Sequence, residues 1–272
     1  MPTYAYVLFV ALAISWVVRN KSKLLSIKHS FGGIVGDPLR VRGDGSLSLE
    51  QRWAVGAGAD LALRNVAFLD ALPTGLPNSR ELLAEWWGIE TREDALDMLR
   101  HLVKQGHRAD YQQVVSILRS QPEARQNAVV EQTAIDYDLP DLVDTYESVL
   151  AARSLLDRDG LLRAEVPLPS ILAWDLGRLI NICRWCYDVG LLSEQECWSH
   201  MLPAASVLQR EYGSWSELSL AYLTGFVVWK GGEPGPEYDL LKSNRALLLS
   251  DARSPWQQLA WWPDATGELV RA

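Results

Sequence analysis

Cysteine is scarce and odd in number, three in 272 residues. That excludes a disulfide framework of the kind that holds small secreted folds together, and it makes a reducing compartment the default. Basic side chains are outnumbered: 26 Lys and Arg face 34 Asp and Glu, a net charge of −8. Phosphate binding needs a concentrated basic surface, so this shortage argues against nucleic acid as the main ligand. The same acidity fits a basic protein partner, through charge complementarity and steering. Sustained period-two alternation bounded by turns is missing, which leaves almost no strand signal. Phenylalanine is rare as well, four residues against twelve tryptophans. A buried Trp covers a large area but wants a partner for its indole N–H, so the core is expected to carry several anchored polar contacts.

What is present is an ordinary globular composition, 48% apolar and 22% charged. The length allows one large core. Residues 1–18, MPTYAYVLFVALAISWVV, carry no charged side chain, and Arg19, Lys21, Lys23 and Lys28 follow. Eighteen helical residues span about 27 Å, close to the hydrocarbon thickness of a bilayer. Tyr4, Tyr6 and Trp16 lie near the two ends, where interfacial aromatics belong. Two readings of segment 1–20 stay open, a membrane anchor and a buried N-terminal helix. A cleaved signal peptide fits poorly, because no basic region precedes the apolar run. As an anchor it would tether a cytoplasmic domain to the inner membrane; otherwise the chain is read as cytoplasmic. Residues 21–45 read as a linker or an irregular packing segment, and 46–272 as a single helical domain.

The fold expected is all-α, an irregular multi-helix globular domain. Leu49, Trp53, Ala57 and Leu61 repeat every four residues over 46–66, with Ser48 placed to cap. Asn78 can cap a helix that Gly88 stops. Thr91 and Asp94 resemble a capping box opening a helix whose stripe is Ala95, Met98, Leu99 and Leu102, with Gly106 as its C′ residue. Further helical patterns run to about 260.

The stretch CRWCYDVGLLSEQECWSH, 183–200, has the spacing of a Cys₃His zinc site: Cys183, Cys186, Cys197 and His200. Helical periodicity explains that spacing without a metal. Gly190 ends one helix and Ser193 with Glu196 forms a capping box that starts the next, giving an αα-hairpin over about 169–211. The cysteines then fall on facing sides, and buried cysteine is common without any ligand. No metal and no cofactor is assigned on this reading.

Other polar residues carry more information. Asp175 and Arg178 are three apart beside Trp174, and His107 with Arg108 directly follows a helix end. Trp215 opens a late helix in which Gly225 and Trp229 are four apart. The segments Trp87-Gly88-Ile89, Gly106-His107-Arg108, Trp174-Asp175-x-x-Arg178, Gly190 through Glu196 and Ser214-Trp215 followed by Gly225-x-x-x-Trp229 come in a characteristic order. Together they resemble a bacterial family known as domain of unknown function 1266, over about 80–230. The resemblance implies a helical fold and carries no established activity, and the cysteines are not part of its pattern.

Three functions remain as expectations. The first is a non-enzymatic bacterial interaction protein that neutralises a basic toxin or effector, an immunity protein. The second is an enzyme with His107, Asp175, Arg178 and Glu194 in a cleft, His107 as general base and Arg178 as anion clamp. The third is a membrane-associated scaffold. Against the enzyme stands a structural cluster of Trp174, Asp175, Arg178, His107 and Trp215, a buried ion pair bonded to Trp indoles and fixing helix packing.

Overall fold

The computed structural model describes residues 38–163, 165–233 and 235–262. The apolar segment 1–20 and most of the 21–45 segment therefore lie outside the described residues.

The described chain is helical, with one isolated bridge between Arg40 and Phe68 in place of any sheet. The elements are α1 (Leu49–Gly56), α2 (Ala59–Arg64), α3 (Ser79–Leu82), α4 (Arg92–Lys104), α5 (Arg108–Ser120), α6 (Glu123–Asp136), α7 (Leu142–Arg158), α8 (Leu172–Asp188), α9 (Glu194–Glu211), α10 (Trp215–Trp229), α11 (Pro236–Ser250) and α12 (Pro255–Gln258). Helix α3 runs on into a wider π-type turn over Leu83–Trp87.

Local sequence sets many of these ends. Ser48 with Gln51, Thr91 with Asp94, and Ser193 with Glu196 each form a reciprocal capping box. Gly88, Gly106 and Gly190 adopt positive φ where helices stop. The 46–66 pattern divides into α1 and α2. Gly58 starts the second helix, and a Cβ there would come within 2.8 Å of Asn181 on α8. That close approach to α8 requires glycine at the junction, a constraint that four-residue periodicity does not reveal.

Helix α8 is the axis of the fold. Every residue from Ala173 to Cys186 is buried, which marks a helix enclosed by others rather than one resting on a surface. Helices α2, α4, α9 and α10 pack around it. Near the C-terminus Trp53, Trp215, Trp256 and Trp261 cluster. The Trp215 and Trp256 rings stack at 5.8 Å, and Trp261 meets Trp215 edge-on at 4.9 Å. Three of these indoles donate to backbone carbonyls, Trp215 to Leu259, Trp256 to Gly56 and Trp261 to Gln209. The anchoring expected of tryptophan is met there, whereas the Trp53, Trp174 and Trp185 indole nitrogens have no partner among the described residues.

No helix among the described residues is long and apolar enough to cross a membrane.

Candidate functional site

Helix α8 carries polar side chains every third residue, Asp175, Arg178, Asn181 and Arg184, and all four are buried. Buried polar groups must be paired, and each of these reaches out to backbone. Asn181 donates to Gly58 O at 2.8 Å and to Gly177 O at 2.9 Å. Arg184 donates to Phe68 O at 2.6 Å and to Leu72 O at 3.2 Å. At the end of α8, Asp188 accepts from the Thr74 hydroxyl and, at 2.9 Å, from Ser79 Oγ. The helix thus supplies partners to irregular chain that would otherwise bury unsatisfied amides and carbonyls.

Asp175 does this most completely. Its Oδ1 accepts from His107 N at 3.0 Å and Arg178 Nη2 at 2.7 Å. Its Oδ2 accepts from Arg108 N at 3.2 Å and Arg108 Nη1 at 2.9 Å. Four donors fill the four lone-pair positions of a carboxylate. Two of them are the backbone N–H groups opening α5, so Asp175 caps the N-terminus of a helix distant in sequence, with its charge at the positive end of the dipole. Arg108 closes the corner from the other side. Its guanidinium donates to Leu102 O at 2.6 Å and to Val103 O, among the last carbonyls of α4. Gly106, at φ +58°, makes the corner possible, because an added Cβ would stand 2.1 Å from Asp175 Oδ2.

Arg178 lies over two rings, its guanidinium carbon 4.3 Å from the Trp174 centroid and 5.5 Å from that of Trp87. Its Nε donates to Trp174 O at 2.7 Å, and its Nη2 is 2.8 Å from His107 Nδ1. A guanidinium only donates, so Nδ1 must accept and the imidazole is neutral, with its proton on Nε2. Desolvation of its inward edge and, after it, the Arg178 charge push His107 down to about 4, with Asp175 opposing. Trp174 is packed in turn by α10: Gly225 leaves room for it, since a Cβ there would fall 2.3 Å from Trp174 Cβ, and Tyr222 and Trp229 meet its ring at 5.0 and 5.7 Å.

The structure therefore brings His107, Trp174, Asp175 and Arg178 together, with Arg108 and Trp87 added. The bonding to Trp differs from the expectation, for Arg178 uses ring faces and a backbone carbonyl, while the Trp174 indole nitrogen has no partner among the described residues. Trp215 belongs to the other aromatic cluster. Glu194 accepts from Trp198 Nε1 at 3.1 Å on its own helix, α9. Arg108 was legible only as part of a motif, because nothing local signals that its side chain turns back onto α4.

A catalytic role would need a free base and room for a substrate. Asp175 has every acceptor position filled, Arg178 is buried against it, and the side chain of His107 is 43% exposed while its Nδ1 faces the Arg178 guanidinium. An open hollow of about 740 Å³ lies elsewhere, lined by Pro73, Arg92, Tyr187 and Glu196 among others.

Cys183, Cys186 and Cys197 are buried free thiols, and Cys197 Sγ donates to Cys183 O at 3.2 Å. Burial raises all three, Cys186 and Cys197 to about 12, which keeps them protonated. Burial lowers His200. No group of three metal-ligating side chains occurs among the described residues.

No curated protein and no solved structure matches the chain. A family profile does match residues 82–261, more than half of the chain, and that span holds the capped corner, the α8–α9 hairpin and the Gly225 contact. The chain belongs to the family described as Protein of unknown function (DUF1266).

Proposed function

We propose that this chain is a non-catalytic protein-binding domain that engages a basic partner, in its concrete form an immunity protein neutralising a basic toxin or effector. The observation that carries the reading is the commitment of the motif's polar groups. Asp175 has all four acceptor positions filled, Arg108 is held on the carbonyls that end α4, and Arg178 pairs with Asp175 and donates to Trp174 O on its own helix, so these residues serve helix capping and packing. The net charge of −8 adds the complementary potential that steers a cationic protein. On this reading segment 1–18 acts as an inner-membrane tether of a cytoplasmic domain, which carbonate extraction of the full chain against one lacking 1–20 tests separately.

The test of function is affinity purification of the tagged full chain from its host at low ionic strength, with mass spectrometry. A basic protein should be retained, should elute as salt rises, and should lose its toxicity when co-expressed with this chain. Recovery of no basic protein, or binding without protection, defeats the interaction reading or its immunity form respectively.

A further inference from the structure

From residue 126 to 152 the sequence holds six carboxylates, Glu131, Asp136, Asp138, Asp141, Asp144 and Glu147, and no Lys, Arg or His. This run forms most of the α6–α7 hairpin. Its inner face is ordinary core, with Val130, Leu142 and Val149 buried. At its tip the polarity reverses. Ile135 is 76% exposed and Tyr137 71%, the two most exposed large hydrophobic residues among those described, and Asp136 stands between them. Asp138 and Asp141 complete the rim. Single exposed apolar residues are common, but two at one tip, ringed by like charge, are a pattern. Asp110 on helix α5 feels this field: burial and, after it, the negative charge of Asp141 raise its carboxyl. Carboxylates therefore face carboxylates here, a repulsion that cationic groups of a partner would relieve.

We infer that the α6–α7 tip is the docking surface for a basic segment of the partner protein, one that sets an apolar side chain against Ile135 and Tyr137 and Lys or Arg against Asp136, Asp138 and Asp141. This rests on the protein-binding reading above and assigns it a surface. The chemistry selects the partner class. Apolar contact gives the energy at the centre and charge gives rate and selectivity at the rim. Phosphate-bearing surfaces, nucleic acid or anionic lipid, would meet like charge.

The probe is a short amphipathic peptide of leucine and lysine at helical spacing, titrated onto the full-length chain at low and at moderate salt. The variants are Ile135→Ser with Tyr137→Ser, and Asp136→Asn with Asp138→Asn and Asp141→Asn. Asparagine at 138 keeps the positive φ of 52° that the residue holds. Leu240→Ser, at an exposed position on α11, is the control. Each tip variant should weaken binding at least about tenfold, the control should not, and salt should weaken the wild type more than the Asn variant. If the wild type binds and the tip variants bind equally well, this surface is wrong while the protein-binding reading stands. If the wild type retains neither the peptide nor any basic protein from the host, the reading fails and the surface with it.

Discussion

Arg108 and Asp175 meet twice, once through the Arg108 backbone N–H at 3.2 Å and once through its guanidinium at 2.9 Å. One residue thus opens helix α5, ties it to the carboxylate that caps it, and also bonds the end of α4.

Replacing Asp175 by Asn should be severe. The cap loses its charge, an amide N–H is pressed toward donors, and Arg178 loses its counter-ion inside the core. Breaking such a buried pair costs about 3–5 kcal/mol, readable as a fall in the denaturant midpoint. A loss below about 1 kcal/mol would mean that the corner is held by other contacts.

Two glycines separate backbone strain from crowding. Gly88 and Gly106 both have positive φ, but an added Cβ at Gly88 meets nothing within 4 Å, whereas at Gly106 it strikes Asp175. Gly88→Ala should cost about 1 kcal/mol from the left-handed conformation alone. Gly106→Ala should cost at least about 2 kcal/mol more, because the carboxylate must leave the cap. Equal losses by thermal unfolding would defeat the proposed geometry.

Titration should act from opposite sides. His107 falls to about 4 from an ordinary 6.5, so the unfolded chain takes up its proton first. Stability is then lost as pH drops from 6.5 toward 4, and His107→Gln should flatten that limb. Asp60 behaves inversely. It is buried between α2 and α10, accepts from Ser219 at 2.8 Å through Oδ1, and finds no donor for Oδ2 among the described residues. Desolvation raises it from 3.8 to about 7, with Ser219 and then Arg245 opposing. The folded chain keeps this proton longer, so stability is lost as pH rises from about 4 to 7. Asp60→Asn should gain on the wild type across that window and hold the gain above it. Melting curves that run parallel for both proteins between pH 4 and 8 would rule this out.

The thiols give a direct assay. Cys183, Cys186 and Cys197 should be inert to a thiol-specific chromogenic reagent in the folded protein and should all react after denaturation. Stoichiometric zinc in protein purified without chelator would reverse this reading and restore the Cys183–Cys186–Cys197–His200 site.

Local chemistry was readable in sequence and distant chemistry was not. The Ser193–Glu196 box, the Thr91–Asp94 box and the stop at Gly190 involve neighbours within a few residues, and all three form as their spacing indicates. The Asp175–Arg178 pair was visible for the same reason, being three residues apart. The capping of α5 by Asp175 was not, because its partners His107 and Arg108 are 68 and 67 positions away. The break between α1 and α2 was likewise hidden, since the neighbour that requires glycine at its junction, Asn181, lies on another helix. Trp215 and Asp175 belong to one ordered set of motifs in the sequence, and only packing separates their two aromatic clusters.

The long reach of Asp175 bears on how the chain acquires its structure. A helix whose first amides are satisfied from within can begin to form alone, but α5 borrows its cap from a segment made later in synthesis. An isolated fragment covering 92–120 should therefore show weak helicity past Gly106, and the corner should become rigid only when α8 arrives. Such dependence on remote partners slows assembly by raising contact order, and it joins the two halves of the domain into one cooperative unit.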